Sequence, residues 1–395
     1  MKRLCAALAG FLVVLIGPAS AQTGRIDYER LDQRLKQLAA EDEIVGLAVA
    51  VIESGEIVFA RGYGVTAAGE GAVTRDTVFR WASLSKGVAT SLVTRMAVEE
   101  GRFALTSPVA SFGTTLRLPG RAEQSVTLED LMAHRVGVVS NAYDNLLEDG
   151  RDPAAIRRML GSLSTVCPVR QCHSYQNVAF DALTEIVEGA TGGTYDAAVR
   201  AALFQPLRMA TASTGRAGLE TARSWAKPHA TRRGETVPEV RTVKEPYYRV
   251  PAAGGVNGSV MDLARFARAQ MGLAPDVLPP GTLEALHLPR VATPREQTRL
   301  NTQFEGRMRD ARYGLGWRTY TYDGSGQRVV GHRGSVEGYR ALMLFDPELK
   351  TGVVALWNSS SRRPVAIELE VMDMAYGLPP RDWIGLDEGW AGAGR

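Results

Sequence analysis

A chain of 395 residues, 45% hydrophobic and 23% charged, can bury a sizeable core, and its formal charge of +3 offers no electrostatic footprint for nucleic acid or an anionic membrane. Its three cysteines exclude a disulfide-dense scaffold, and no second ligand pair stands at finger-like spacing, so no metal site is expected. Lysine is scarce, at positions 2, 36, 86, 227, 244 and 350 only, which makes Lys86 a rare residue here.

From the start of the chain, Lys2 and Arg3, the apolar run Leu4 to Ile16, Pro18 and Ala19-Ser20-Ala21 read as a secretory signal, residues 1–21, cleaved after Ala21. The expected location is periplasmic or secreted. The run is shorter than the roughly 20 apolar residues of a spanning helix, and no later stretch qualifies, so no membrane span is expected after cleavage. In an oxidising compartment Cys167 and Cys172 can close a small loop ahead of Tyr175, worth about 2 kcal/mol in the chain-entropy model; two free thiols are the alternative.

Residues 26–40 read as an amphipathic helix, and Val45 to Ala60 as two strands turning at Glu53-Ser54-Gly55-Glu56. Ser83 opens a helical stretch in which Leu84, Val88, Leu92 and Met96 share a side, stopped by Gly101. Residues 105–210 are mainly helical in pattern. Strands return at Arg340 to Phe345 and Thr351 to Trp357, joined by a turn at Asp346 to Lys350, and a helix from Pro364 to Tyr376 follows. The pattern predicts an α+β fold: one antiparallel sheet flanked by helices, built from both chain ends, with a helical subdomain inserted between. The mature chain, 22–395, is expected to be a single unit, with its sheet subdomain at about 22–80 and 250–380 and its helical subdomain at about 84–210.

Three motifs carry chemistry: Ser83-Leu84-Ser85-Lys86, Tyr175-Gln176-Asn177 and His332-Arg333-Gly334. On a helix, positions three apart share a face, so Lys86 can reach the Ser83 hydroxyl and activate it as a nucleophile if its site desolvates the amine. Tyr175 is a second proton carrier, and Asn177 can present its amide to a substrate carbonyl and to Lys86. His332 is expected to hydrogen-bond the tyrosine or substrate, with activity changing near pH 6 to 7 as an ordinary imidazole titrates. Gly334 lets a substrate backbone approach, and the Ser335 N–H can complete an oxyanion hole with that of Ser83. The second Ser-x-x-Lys, Ser224 to Lys227, fails because Pro228 stops a helix, and Tyr143-Asp144-Asn145 reads as a surface segment. His134, His173, His229 and His287 read as structural. No Gly-x-Ser-x-Gly occurs.

At these residues the chain resembles the serine β-lactamase and penicillin-binding protein superfamily, specifically its class C β-lactamase and D-alanyl-D-alanine carboxypeptidase branch, a β-lactamase/transpeptidase-like fold. The resemblance runs from about Val45 to Asn358 and includes Thr127 to His134, Ala252 to Val256 and Tyr313-Gly314-Leu315-Gly316-Trp317. It implies Ser83 as acylated nucleophile, Lys86 and Tyr175 as its proton network, Asn177 as substrate anchor, and no cofactor. His332 falls where most class C enzymes have lysine, similar to some DD-peptidases, D-amino-acid peptidases and esterases of the fold. Arg333 replaces a hydroxyl residue that relatives use on the substrate carboxylate, and takes over that contact only if it points into the cleft. The reading is a serine hydrolase acting on D-amino-acid peptides or small esters and amides. The alternatives are a class C β-lactamase and a β-lactam-binding or cell-wall-binding protein without turnover. The oligomeric state is left open.

Overall fold

Asp27 caps helix α1 (Tyr28–Ala39) by accepting the Arg30 amide at 3.0 Å, and Leu31, Leu35 and Leu38 bury one side of it. Strands β1 (Gly46–Glu53) and β2 (Glu56–Gly64) follow, joined at Ser54 and Gly55, whose φ values of 51° and 87° make the two-residue turn that matches strand twist. Helix α2 (Ser85–Val98) is buried on nearly every side and runs through the middle of the molecule. Helices α3 (Ala182–Thr191) and α4 (Val260–Gln270) precede strands β3 (Val291–Ala292), β4 (Met308–Tyr313), β5 (Arg318–Tyr322), β6 (Arg328–Val336), β7 (Tyr339–Asp346) and β8 (Thr351–Trp357), and helix α5 (Ile367–Ala375) closes the fold. This computed structural model describes residues 25–387 except 233, 234 and 236; the signal expected over residues 1–21 lies outside the described residues.

The strands form one antiparallel sheet in the order β2-β1-β8-β7-β6-β5-β4-β3. The first strand pairs with the last, Leu47 opposite Trp357, so both chain ends build the sheet as the sequence pattern predicts. Alternation divides the core in two. Val354 and Leu356 of β8 face the layer that holds α2 and α4, whereas Val353, Ala355 and Trp357 face α1 and α5. No helix among the described residues is long and apolar enough to cross a membrane.

Two local features set up the site. A short strand, Phe79–Arg80, pairs with Val256–Gly258, and the Trp81 amide donates to the Val256 carbonyl at 2.9 Å. The chain must then turn sharply, and Ala82 does so at φ 47°, a left-handed conformation that costs a residue with a Cβ roughly 1–2 kcal/mol. Ser83 consequently sits in a 3₁₀ turn, Ala82–Leu84, and α2 starts at Ser85 rather than at Ser83. On the sheet side, β5 pairs with β6 only as far as Arg318 opposite Gly331. From His332 onward that edge of β6 has no strand partner among the described residues.

Cys167 and Cys172 are bridged, with Cα atoms 6.3 Å apart. The loop they close leans on the segment after His134: the Val166 amide donates to the Gly137 carbonyl at 2.8 Å and the Arg170 amide to the Arg135 carbonyl at 3.0 Å. Gly137 is left-handed at φ 80°, and a side chain there would meet the Cys167 carbonyl. Replacing both cysteines by serine is expected to lower unfolding stability by about 2 kcal/mol, measured by urea denaturation; unchanged stability would show that the hydrogen bonds alone hold the loop.

Candidate active site

Lys86 is fully buried on the first turn of α2, three residues after Ser83. Its Nζ donates to Asn177 Oδ1 at 2.7 Å and to the Ala253 carbonyl at 2.9 Å. The Asn177 amide is fixed from its other end, donating through Nδ2 to Asp144 at 2.6 Å. The result is an ordered chain from amine to amide to carboxylate. Burial pushes the Asp144 carboxyl above its ordinary value, with the Asn177 bond and the Lys86 charge acting against that. Asp144 belongs to the segment that reads as a surface decoy; what hid it is that its helix, Asp144–Glu148, folds back over Asn177 from 33 positions away.

The Tyr175 ring lies beneath this amine, 4.7 Å from its centroid to Lys86 Nζ, a cation–π contact rather than a bond to the hydroxyl. The Tyr175 hydroxyl is buried and has no hydrogen-bond partner among the described residues. Its neighbour His332 stacks at 6.3 Å but bonds elsewhere. Nδ1 of His332 lies 2.9 Å from the Arg333 carbonyl, so Nδ1 carries the proton and Nε2 accepts from the Tyr313 hydroxyl at 3.0 Å. Burial, with Arg318 and Lys86 nearby, holds the imidazole well below the usual histidine range, so it is neutral. The expected inflection near pH 6 to 7 is therefore corrected: it assumed a solvated ring. Tyr313, His134 and His173 are the residues that sequence reasoning missed. His134 lies 4.4 Å from the Tyr175 ring and accepts the Gln176 amide at Nδ1, and His173 lies 4.9 Å from Tyr313. The available signal was that His134 and Tyr313 end and open two of the matched segments.

On β6 the structure separates the third motif. His332 and Gly334 face α2, where a Cβ on Gly334 would collide with the Trp81 carbonyl just before Ser83. Arg333 faces the opposite way. Its guanidinium is bonded to buried Glu368 of α5 and lies 3.6 Å from Glu296, over the Phe304 ring. Its assignment as a substrate contact is thus corrected, because strand alternation puts it on the far side of the sheet. The Ser335 side chain is exposed, its Oγ accepting from Arg340 at 3.1 Å. Its backbone is the relevant part. The two-residue turn Glu337-Gly338 makes Val336 and Tyr339 a hydrogen-bonded pair, so the next residue, Ser335, aims its N–H at the free edge beside the Ser83 turn. Among the described residues no three His, Cys, Asp or Glu side chains converge as metal ligands.

Residues 31–373 match the family model described as Beta-lactamase. Among curated proteins, penicillin-binding protein 4 of Amycolatopsis lactamdurans is 30% identical over 350 residues, covering 83% of this chain and 84% of that protein. An unguisins hydrolase of Aspergillus campestris is 25% identical over 372 residues, covering 88% of this chain and 66% of that protein, so the chain spans just under two thirds of that fungal relative. Among solved structures, the octameric penicillin-binding protein homologue from Pyrococcus abyssi superposes at a TM-score of 0.78 with 24% identity, over 90% of this chain and 79% of that one.

Two outcomes follow from the geometry. With the His332 pKa well below 6.5, the ring stays neutral at and above that pH and gains a proton only in more acidic solution, so kcat/KM should change less than about two-fold between pH 6 and 7; a sigmoid centred near 6.5 would show a solvated imidazole. Gly334→Ala forces β6 away from the Trp81 carbonyl and should lower kcat/KM about 100-fold while the melting temperature shifts by only a few degrees; full activity would show that the strand and the serine turn are not tightly apposed.

Proposed function

The chain belongs to the beta-lactamase family and is a serine hydrolase of that fold, and from that premise we propose that it is an exported enzyme working through an acyl-enzyme on Ser83. The observation that carries this reading is the orientation of Lys86. Two of the positions around Nζ are taken by Asn177 and the Ala253 carbonyl and a third by its own carbon, which leaves one position free. In the neutral amine that position is a lone pair, which can take the Ser83 proton as Oγ attacks the substrate carbonyl. The Ser83 and Ser335 N–H groups receive the developing oxyanion. As the bond to the leaving group breaks, the proton passes to that group through the unpartnered Tyr175 hydroxyl, and water then releases the acyl group and restores Ser83.

The substrate reading is a peptide ending in a D-amino acid, or a small ester or amide of similar shape. Support for the ester and amide part of this range comes from Arg333, which supplies no contact in the cleft, and from neutral His332 in place of a cation, since both remove groups that a carboxylate on a lactam or on a terminal D-amino acid would use. The similarity to an esterase of Burkholderia gladioli, 32% identical over 197 residues, points the same way. Export rests on the pattern over residues 1–21 and accords with the Cys167–Cys172 bridge.

The deciding experiment follows protein mass and substrate together, with p-nitrophenyl esters, D-alanyl-D-alanine peptides and benzylpenicillin, using Ser83→Ala as control. Ester or peptide hydrolysis that falls about 1,000-fold or more in Ser83→Ala is the expected outcome. Rapid penicillin hydrolysis over an unmodified protein would replace the reading with a β-lactamase. Turnover that survives the substitution would refute Ser83.

A further inference from the structure

We propose that a cavity beside the cleft, lined by the buried Arg80, is a subsite for a carboxylate carried on the acyl portion of the substrate. The proposal rests on the acyl-transfer reading above and adds to it the class of acyl group. The cavity holds about 320 Å³ between the end of β6 at Val336 and Glu337, Tyr339 on β7, the segment Thr242 to Tyr247, and Glu148. It adjoins the cleft. The Tyr247 hydroxyl donates to Glu148 at 2.9 Å and lies beside Asp144, which holds the Asn177 amide, and Arg80 itself stands three residues before Ser83.

Arg80 is only 2% exposed. Its guanidinium stacks 3.7 Å from the Tyr248 ring centroid, and Nη1 donates to the Lys244 carbonyl at 3.3 Å, but Nε and Nη2 have no partner. Among the described residues no carboxylate forms an ion pair with it, whereas the other charged groups of the lining are occupied: Lys244 pairs with Glu337 at 2.6 Å, and Glu148 takes the Tyr247 hydroxyl. A buried cation with unused donors is costly unless an anion arrives, and the planar guanidinium fork fits a carboxylate with two parallel bonds.

The direction of the substrate decides which end meets it. An extended substrate pairing antiparallel with the free edge of β6, its scissile carbonyl at the Ser83 and Ser335 N–H groups, runs its acyl side towards Val336 and Glu337 and its leaving group towards His332. The acyl side thus enters the Arg80 cavity. Glutaryl-type acyl groups, which place a carboxylate several bonds from the scissile carbonyl, have the chemistry required.

Calorimetry on Ser83→Ala protein, which removes turnover, tests this with glutaranilate and its neutral counterpart pentananilide. Glutaranilate should bind about ten- to 100-fold more tightly, the preference should vanish when Arg80→Met is added, and Arg80→Lys should keep part of it. Equal affinity for the two anilides, no glutaranilate binding at millimolar concentration, or a preference that survives Arg80→Met in a folded protein would each overturn the subsite. If circular dichroism shows Arg80→Met to be unfolded, Arg80→Lys decides alone, since a point charge without the fork should weaken glutaranilate at least about three-fold and unchanged affinity would overturn the proposal. Hydrolysis of p-nitrophenyl glutarate and pentanoate by the unsubstituted enzyme separates the two readings. Anion-selective binding without Ser83-dependent hydrolysis refutes the hydrolase and keeps the subsite. Ser83-dependent hydrolysis of the pentanoate without anion selectivity refutes the subsite alone.

Discussion

Everything at the site depends on removing one amine from water and holding it without a direct carboxylate partner. Lys86 enters the interior on α2, a helix buried on almost all sides, and the fold meets its donors with a side-chain amide and a backbone carbonyl. Placing Asp144 one amide further out orients Asn177 while keeping full negative charge off the amine. The requirement reaches far along the chain, because residues 86, 144, 177 and 253 come from four segments and each must arrive for the others to be satisfied.

The second constraint is the pleat of β6. Successive residues face opposite sides, so a strand that brings His332 and Gly334 against the serine turn must send Arg333 away from it. That side chain then needs its own anion, which explains why buried Glu368 and Glu296 lie beneath the sheet. Arg318 shares the same group through Glu296, which its cationic neighbours hold down at about 2. The network on one face anchors the strand whose opposite face and free edge form the cleft. Its worth lies in fixing the strand's position, since the desolvation of paired ions offsets much of their attraction.

Most of the fold was legible because its signals are local. The α1 periodicity, the Ser54-Gly55 turn and the β7–β8 hairpin depend on residues close in sequence, and they appear within a few positions of their expected bounds. The start of α2 was misplaced because the strain at Ala82 comes from pairing with Val256–Gly258, which no local pattern announces. The three motifs were legible as motifs, but their wiring was not. His332 bonds Tyr313 instead of Tyr175, and Asp144 enters from a loop whose composition resembles a solvated face. Arg333 could have been settled from the sequence, since alternation already opposes its facing the cleft alongside His332 and Gly334.

A neutral histidine at 332 also fits the charge balance of this particular cleft. Arg318 and Arg333 already lie close behind the strand, and Lys86 lies in front of it. A lysine at 332, as in most class C relatives, would add a further cation to a buried region whose carboxylates are already engaged with the arginines, and the cost would fall on Lys86 or on the new residue. Imidazole avoids this because it can fill the space uncharged, with one nitrogen tied to its own strand and the other to a phenol. A cleft without a cation on the leaving-group side has little to attract an anionic leaving group, and the unpaired arginine lies on the acyl side instead. In the proposed reading, charge recognition lies at the acyl end of the substrate, opposite the end that faces His332.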